Sequence, residues 1–173
     1  MQGQEQLLLT MVGKHRRRGI LLDTNVLLLY LFAKFQPALV GRKRLEKYGR
    51  DDADLVLQFV ARFQRILTTQ HVLAETSNLA RQLVGGVRRM ELAMRWHPLF
   101  CLDTPASFMA CPVDGSRIDP AAFAQLGLTD AGLASLVRAD SLLLTDDLDL
   151  YVMAAMRGDA LNFTHMREAA GTV

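Results

Sequence analysis

The chain has 173 residues, half of them apolar, and a formal net charge of +2. That length suits a single domain whose core is large enough to fold without disulfides, and a balance so close to neutral does not by itself demand an acidic partner. The longest apolar run, Gly19 to Ala33, falls short of the roughly 20 residues a membrane span needs and is interrupted by Asp23, Thr24 and Asn25, so no membrane helix is expected. The apolar stretch Leu7 to Val12 precedes the basic cluster Lys14 to Arg18, the reverse of a secretory signal, which predicts a cytoplasmic protein. Cys101 and Cys111 lack a second pair and any histidine at zinc-ligand spacing, and are expected to be reduced, partly buried thiols.

Residues 1–18 read as a lead-in carrying the basic cluster, and 19–173 as one domain, since no repeat or Ser/Gly linker divides them. Gly19-Ile-Leu-Leu-Asp23 is a short apolar run that stops at an acid, as a strand buried on both faces of a parallel sheet would. Asn25 to Phe35 stays apolar for too long to be the same strand, which predicts a buried helix closed by Pro37. Asp51 to Phe63 opens with acids and then spaces Val56, Phe59, Val60 and Phe63 as an amphipathic helix. A second strand is expected at Ile66 to Thr69, followed by a helix through Val72, Leu73, Thr76, Leu79 and Leu83 that Gly85-Gly86 terminates.

From Trp96 to Pro120 the prolines 98, 105 and 112 and Gly115 predict an irregular surface excursion. Thr129 has the chemistry of an N-cap for a helix reaching Arg138. A third buried strand is read at Leu142 to Leu144, a helix at Leu148 to Met156 ending at Gly158, and a fourth strand at Ala160 to Phe163. Alternation of this kind predicts an α/β fold, a three-layer α/β/α sandwich around a mostly parallel sheet of about four to five strands. Ligands in such folds gather at the carboxyl ends of the strands.

Four acids sit at that edge. Asp23 ends the first strand, Glu75 lies in the first turns of the helix after the second, Asp130 begins a helix, and Asp147 follows the third strand. Crowded carboxylates raise one another's pKa, and a hard divalent cation that prefers oxygen ligands relieves the repulsion. One or two ions of Mg²⁺ or Mn²⁺ are therefore expected, and such a site can hydrolyse a phosphodiester without a nucleophilic side chain. Setting these four acids aside leaves the rest of the chain basic, with clusters at Lys14 to Arg18, at Arg42, Lys43, Arg44, Lys47 and Arg50, and at Arg81, Arg88, Arg89 and Arg95. Arg42, Lys43, Arg44, Arg88 and Arg89 are the candidates for gripping a phosphate backbone.

The segments Leu21-Leu-Asp-Thr-Asn-Val26, Thr69-Gln-His-Val-Leu-Ala-Glu75, Leu128-Thr-Asp130 and Leu144-Thr-Asp-Asp-Leu-Asp149, in this order, resemble the PIN-domain ribonucleases over Gly19 to the C-terminus. The resemblance implies a PIN-like fold and a metal-dependent endoribonuclease acting on mostly single-stranded RNA. Asp23, Glu75, Asp130 and Asp147 then form the acidic site, with Asn25 and Thr145 helping to hold the first and last acids. It also implies dimers in many members, for which the apolar helices at Val26 to Phe32 and Leu148 to Met156 offer faces. A toxin restrained by an antitoxin is one version, although the interval from Asp23 to Glu75, with its basic segment Gly41 to Arg50, is longer than in compact toxin members.

Asp146 and Asp149 compete with Asp147, because a one-residue shift of the strand end presents Asp146 instead. His71 and His97 are read as surface or structural residues, Trp96 as a packing residue, and Met90, Met94, Met153 and Met156 as core or interface. An aspartyl phosphatase would need a second acid where Asn25 stands. A catalytically inactive nucleic-acid-binding or scaffold module is the principal alternative, and DNA is the alternative substrate.

Overall fold

A strand made only of Ile and Leu has no face to offer water. In the computed structural model, which describes residues 2–101, 108–137 and 141–171, Ile20–Leu22 accordingly forms the central strand β1, fully buried with neighbours on both edges. The elements run α1 (Gln2–His15), β1, α2 (Thr24–Phe35), α3 (Arg50–Val60), β2 (Ile66–Thr68), α4 (Gln70–Leu83), α5 (Val87–Cys101), β3 (Met109–Ala110), α6 (Pro120–Leu136), β4 (Leu142–Thr145), α7 (Leu148–Ala155), β5 (Asp159–Asn162) and α8 (Phe163–Ala170). All strand pairs are parallel, in the order β3-β2-β1-β4-β5. Helices cover the sheet on both sides, which is the three-layer α/β/α architecture expected.

From β1 the chain steps outward to β2 and β3, then crosses back to β4 on the other side of β1 and steps on to β5. Right-handed parallel crossovers in opposite directions put their helices on opposite faces. The reversal leaves a crevice at the carboxyl ends of β1 and β4, where doubly wound sheets bind ligands. Register makes those ends level: Ile20 lies opposite Leu142 and Leu22 opposite Leu144.

Four strands hand directly over to a helix through a capping side chain. Asp23 accepts from the Val26 N–H, Thr69 from Val72, Asp147 from Leu150 and Asn162 from His165. Upstream of β1, Gly19 takes φ +112°, and a Cβ there would stand 2.9 Å from the Arg65 carbonyl oxygen, so only glycine lets the chain enter the sheet at this point.

Several expectations change. The lead-in is helical, and Leu8, Met11 and Val12 of α1 pack against the core, while Lys14 and the buried His15 both reach Asp159 at 2.6 Å. The stretch expected to be irregular contains the last turns of α5, which continues through Pro98, and the edge strand β3. The two exposed residues of β3 carry no burial pattern, and Pro98 in the last turn only removes a donor near the helix end. The last helix, α8, went unread. The break before Asp130 is at Gly127, with φ 77° and ψ 178° inside α6, rather than at Thr129; the helix ends at Leu136, and Arg138 and Pro105 lie outside the described residues.

Met90, Met94 and Met156 are exposed and Met153 only half-buried, so the methionines are not core. Trp96 is: it is buried and meets Phe32 edge-on at 5.5 Å. Val26 to Phe32 is entirely buried within this chain and offers no self-association face, whereas Leu148, Val152 and Met156 on α7 are exposed. Cys101 is exposed rather than partly buried, Cys111 is half-buried, and both are free thiols. Among the described residues no helix is long and apolar enough to cross a membrane.

Candidate functional site

Asp23 follows the buried run of β1 directly, and its main-chain N–H extends the ladder to the Leu144 carbonyl at 3.2 Å. Its carboxylate is therefore pinned at the crevice. Oδ1 accepts from the Val26 N–H at 2.7 Å, and Oδ2 accepts from the Thr145 hydroxyl at 2.5 Å and the Asp146 N–H at 3.0 Å. These donors leave about one of its four lone-pair sites unused. Burial pushes the Asp23 pKa up to about 6 although the same donors pull it down.

Thr145 does a second job, since its oxygen accepts from the Asp147 N–H at 3.0 Å and so ties the last acid to the first. Asp147 caps α7 with Oδ1 at 2.8 Å from the Leu150 nitrogen. Glu75, one turn into α4, accepts a 3.0 Å hydrogen bond at Oε2 from the Thr24 hydroxyl. Thr24 is the functional residue that sequence reasoning missed. Asn25, expected to help hold the acids, is exposed, and no side-chain hydrogen bond from it is found among the described residues. Its signal was present, because residue 24 is the first of a helix starting at the strand end, beside the cap.

Asp130 lies just past the Gly127 break, at the start of the second part of α6. Its pKa is pushed up to about 7, first by burial and then by the negative charges of Asp23, Asp147 and Glu75. The fold thus brings all four predicted acids within electrostatic reach of one another. As they stand, no group of three or more His, Cys, Asp or Glu side chains among the described residues is arranged to hold a metal ion. The other three acids are near enough to raise the Asp130 pKa, and the four are not near enough to close on an ion.

No family model, no curated protein and no solved structure matches this chain. Carboxylate oxygens on a partly buried edge, one of them at Asp130 costly to ionise beside its neighbours, fit a hard divalent cation and suit no soft metal.

The adjacent acids differ in what they meet. Asp146 turns its carboxylate to Lys47, Tyr48 and Thr164, whereas Asp147 is the one whose charge reaches Asp130. Asp149 is exposed in the first turn of α7 and serves the helix dipole there. His71 and His97 are exposed.

The basic candidates separate into two kinds. Arg42, Lys43 and Arg44 are exposed around the 3-10 turn Lys43–Leu45, and Arg88 is exposed on α5. Arg89 instead donates to the Arg81 and Val84 carbonyls at 3.0 to 3.4 Å, closing the end of α4. It lines, with Met90, Trp96 and Phe100, an apolar groove of about 430 Å³ between α4 and α5 that none of the four acids touches.

Proposed function

We propose that this chain is a metal-dependent endoribonuclease of the PIN-domain kind, using Mg²⁺ or Mn²⁺ held by Asp23, Glu75, Asp130 and Asp147. The observation that supports this reading is Asp130: three further carboxylates, from β1, α4 and the end of β4, act on it at the switch point of the sheet. Concentrated negative charge is unfavourable for folding, and a cation site gives it a use.

A bound divalent ion supplies Lewis-acid activation of water and neutralises charge developing on the phosphodiester. The chain's own part is to orient. Thr145 and the Asp146 N–H fix the direction of Asp23, Thr24 fixes Glu75, and the α7 cap fixes Asp147. Arg42, Lys43, Arg44 and Arg88 remain exposed to contact the backbone of single-stranded RNA, whereas Arg89 is engaged within the fold. In this reading the protein acts in the cytoplasm. A homodimer would use the exposed α7 face, and a regulatory partner, such as an antitoxin, would restrain the activity.

The test is incubation of purified protein with a mixed single-stranded RNA and Mg²⁺ or Mn²⁺, beside EDTA and an Asp23→Asn variant, after stripping any tightly bound partner. Metal-dependent cutting absent from the variant supports the nuclease. RNA binding without cutting, and without metal uptake by calorimetry, favours an inactive binding module.

A further inference from the structure

Asp146 is the acid the proposed chemistry does not use, yet it is among the most heavily engaged side chains of the fold. Its side chain is 1% exposed. Oδ2 takes the Tyr48 hydroxyl at 2.6 Å and the Lys47 ammonium at 2.6 Å, and Oδ1 takes the Thr164 hydroxyl at 2.5 Å. These donors come from the segment before α3 and from α8, far from Asp146 in sequence. Burial alone would raise the Asp146 pKa, but the Lys47, Thr164 and Tyr48 donors outweigh it and hold the carboxyl below its usual range. Tyr48, buried beside that negative charge, has its own pKa driven upward, so its hydroxyl stays protonated and donates.

The anchors are themselves anchored. The Tyr48 ring packs against Phe163 at 6.2 Å, and the Arg167 guanidinium lies 5.4 Å from the ring centroid. Arg167 pairs with the buried Asp52 at 2.7 Å and donates to the Lys47 carbonyl at 2.8 Å. The main-chain N–H of Asp146, meanwhile, donates to Asp23. A strand-to-helix turn that carries one acid beside another would relieve their repulsion by swinging outward, and a side chain tied to three donors opposes that movement.

We propose that Asp146 is a positioning residue: clamped by Lys47, Tyr48 and Thr164, it fixes the main chain at 145–147 and thereby holds Asp23 and Asp147 for a divalent cation. The inference rests on reading the four acids as a metal site. Lys47 adds a further feature, because its ammonium offsets the Asp146 charge and spares the site a fifth uncompensated negative group.

The experiment uses the full chain and four variants, Tyr48→Phe, Thr164→Val, Thr164→Ser and Lys47→Met, with three readouts. These are Mn²⁺ affinity by calorimetry, hydrogen exchange of the Asp146 amide, and the thermal midpoint. Tyr48→Phe and Thr164→Val should each weaken Mn²⁺ binding by about tenfold or more and speed exchange at Asp146, while Thr164→Ser restores both. Lys47→Met, at a half-exposed side chain, carries the same expectation should the buried changes unfold the protein. Affinity within twofold of the parent in all variants, with exchange at Asp146 unchanged, overturns the positioning role and leaves the metal site standing. Equal weakening by Thr164→Ser and Thr164→Val overturns it too. A parent protein that takes up no Mn²⁺ overturns the metal site, and the positioning role with it.

Discussion

Thr145 and Asp23, 122 residues apart in sequence, meet in a 2.5 Å hydrogen bond between the ends of two neighbouring strands. The same threonine oxygen accepts from the Asp147 N–H. One hydroxyl thus joins the first and last acids of the candidate site.

Thr145→Val keeps the shape and removes the donor. The buried Asp23 carboxylate then loses one of its three hydrogen bonds, which should cost about 1–3 kcal/mol in urea unfolding at pH 8. The Asp23 pKa, already about 6, should rise further when followed by carboxyl NMR. An unchanged titration would show that Thr145 does not stabilise the charged form.

Stability should fall as pH rises from about 4 to about 7. The Asp23 and Asp130 pKa values are pushed up to about 6 and about 7 in the folded chain from an ordinary 3.8, so through that window the folded state holds more protons than the unfolded one. Their contribution is full below about pH 4 and is lost above their folded pKa. Asp146 and Asp159 are lowered instead and act oppositely, losing their contribution as pH falls through the acid range. Asp130→Asn should therefore stabilise the protein at pH 8 by about 1 kcal/mol, well under what the full shift implies, because the carboxyl is only half-buried and solvent screens it. Unfolding curves at pH 5 and pH 8 check both the sign and its disappearance at low pH.

Arg167→Met should cost about 3–5 kcal/mol, since it removes the cation paired with the nearly inaccessible Asp52 carboxylate and lying beside Tyr48. The exposed pair of Arg117 and Asp114 is the comparison, and Arg117→Met should leave the urea midpoint where it is. Equal effects in urea would show that the Arg167 pair is not structurally special.

For RNA affinity, replacing Arg42, Lys43 and Arg44 together by Ala should weaken binding and reduce the slope of log K against log salt by about 2, at roughly 0.7 per phosphate contact. Arg89→Ala should behave differently, lowering the melting temperature because it uncaps α4 while leaving the salt slope alone. A filter-binding salt titration separates the two. A slope unmoved by the triple change would remove the 42–44 segment from the interface.

The central strands and the acids were legible because each is written locally: an all-apolar run sets a buried strand, and an acid closing it both caps the next helix and faces the crevice. Asp23 and Asp147 follow that pattern, whereas Glu75 and Asp130 sit inside α4 and α6. The elements that escaped lack such a signature. β3 is two exposed residues at the sheet edge, and α1 meets its polar partner Asp159 only through tertiary packing, 144 residues on from His15. The clamp on Asp146 was equally unreadable, because Tyr48 and Thr164 reach it only through tertiary packing. Apolarity at helical spacing, read as core or interface, did not separate the two for Met90 and Met94, which face away from the core that Leu92 and Trp96 enter.

The strand order also bears on synthesis. β1 is made before both of its neighbours but occupies the middle of the sheet, and its second partner, β4, is made only after about 120 further residues. Until then a ribosome-bound chain presents an unpaired, wholly apolar strand edge, the kind of surface that invites mispairing and chaperone capture. Asp23 waits the same interval for Thr145, so the acidic edge can close only after β4 has been made.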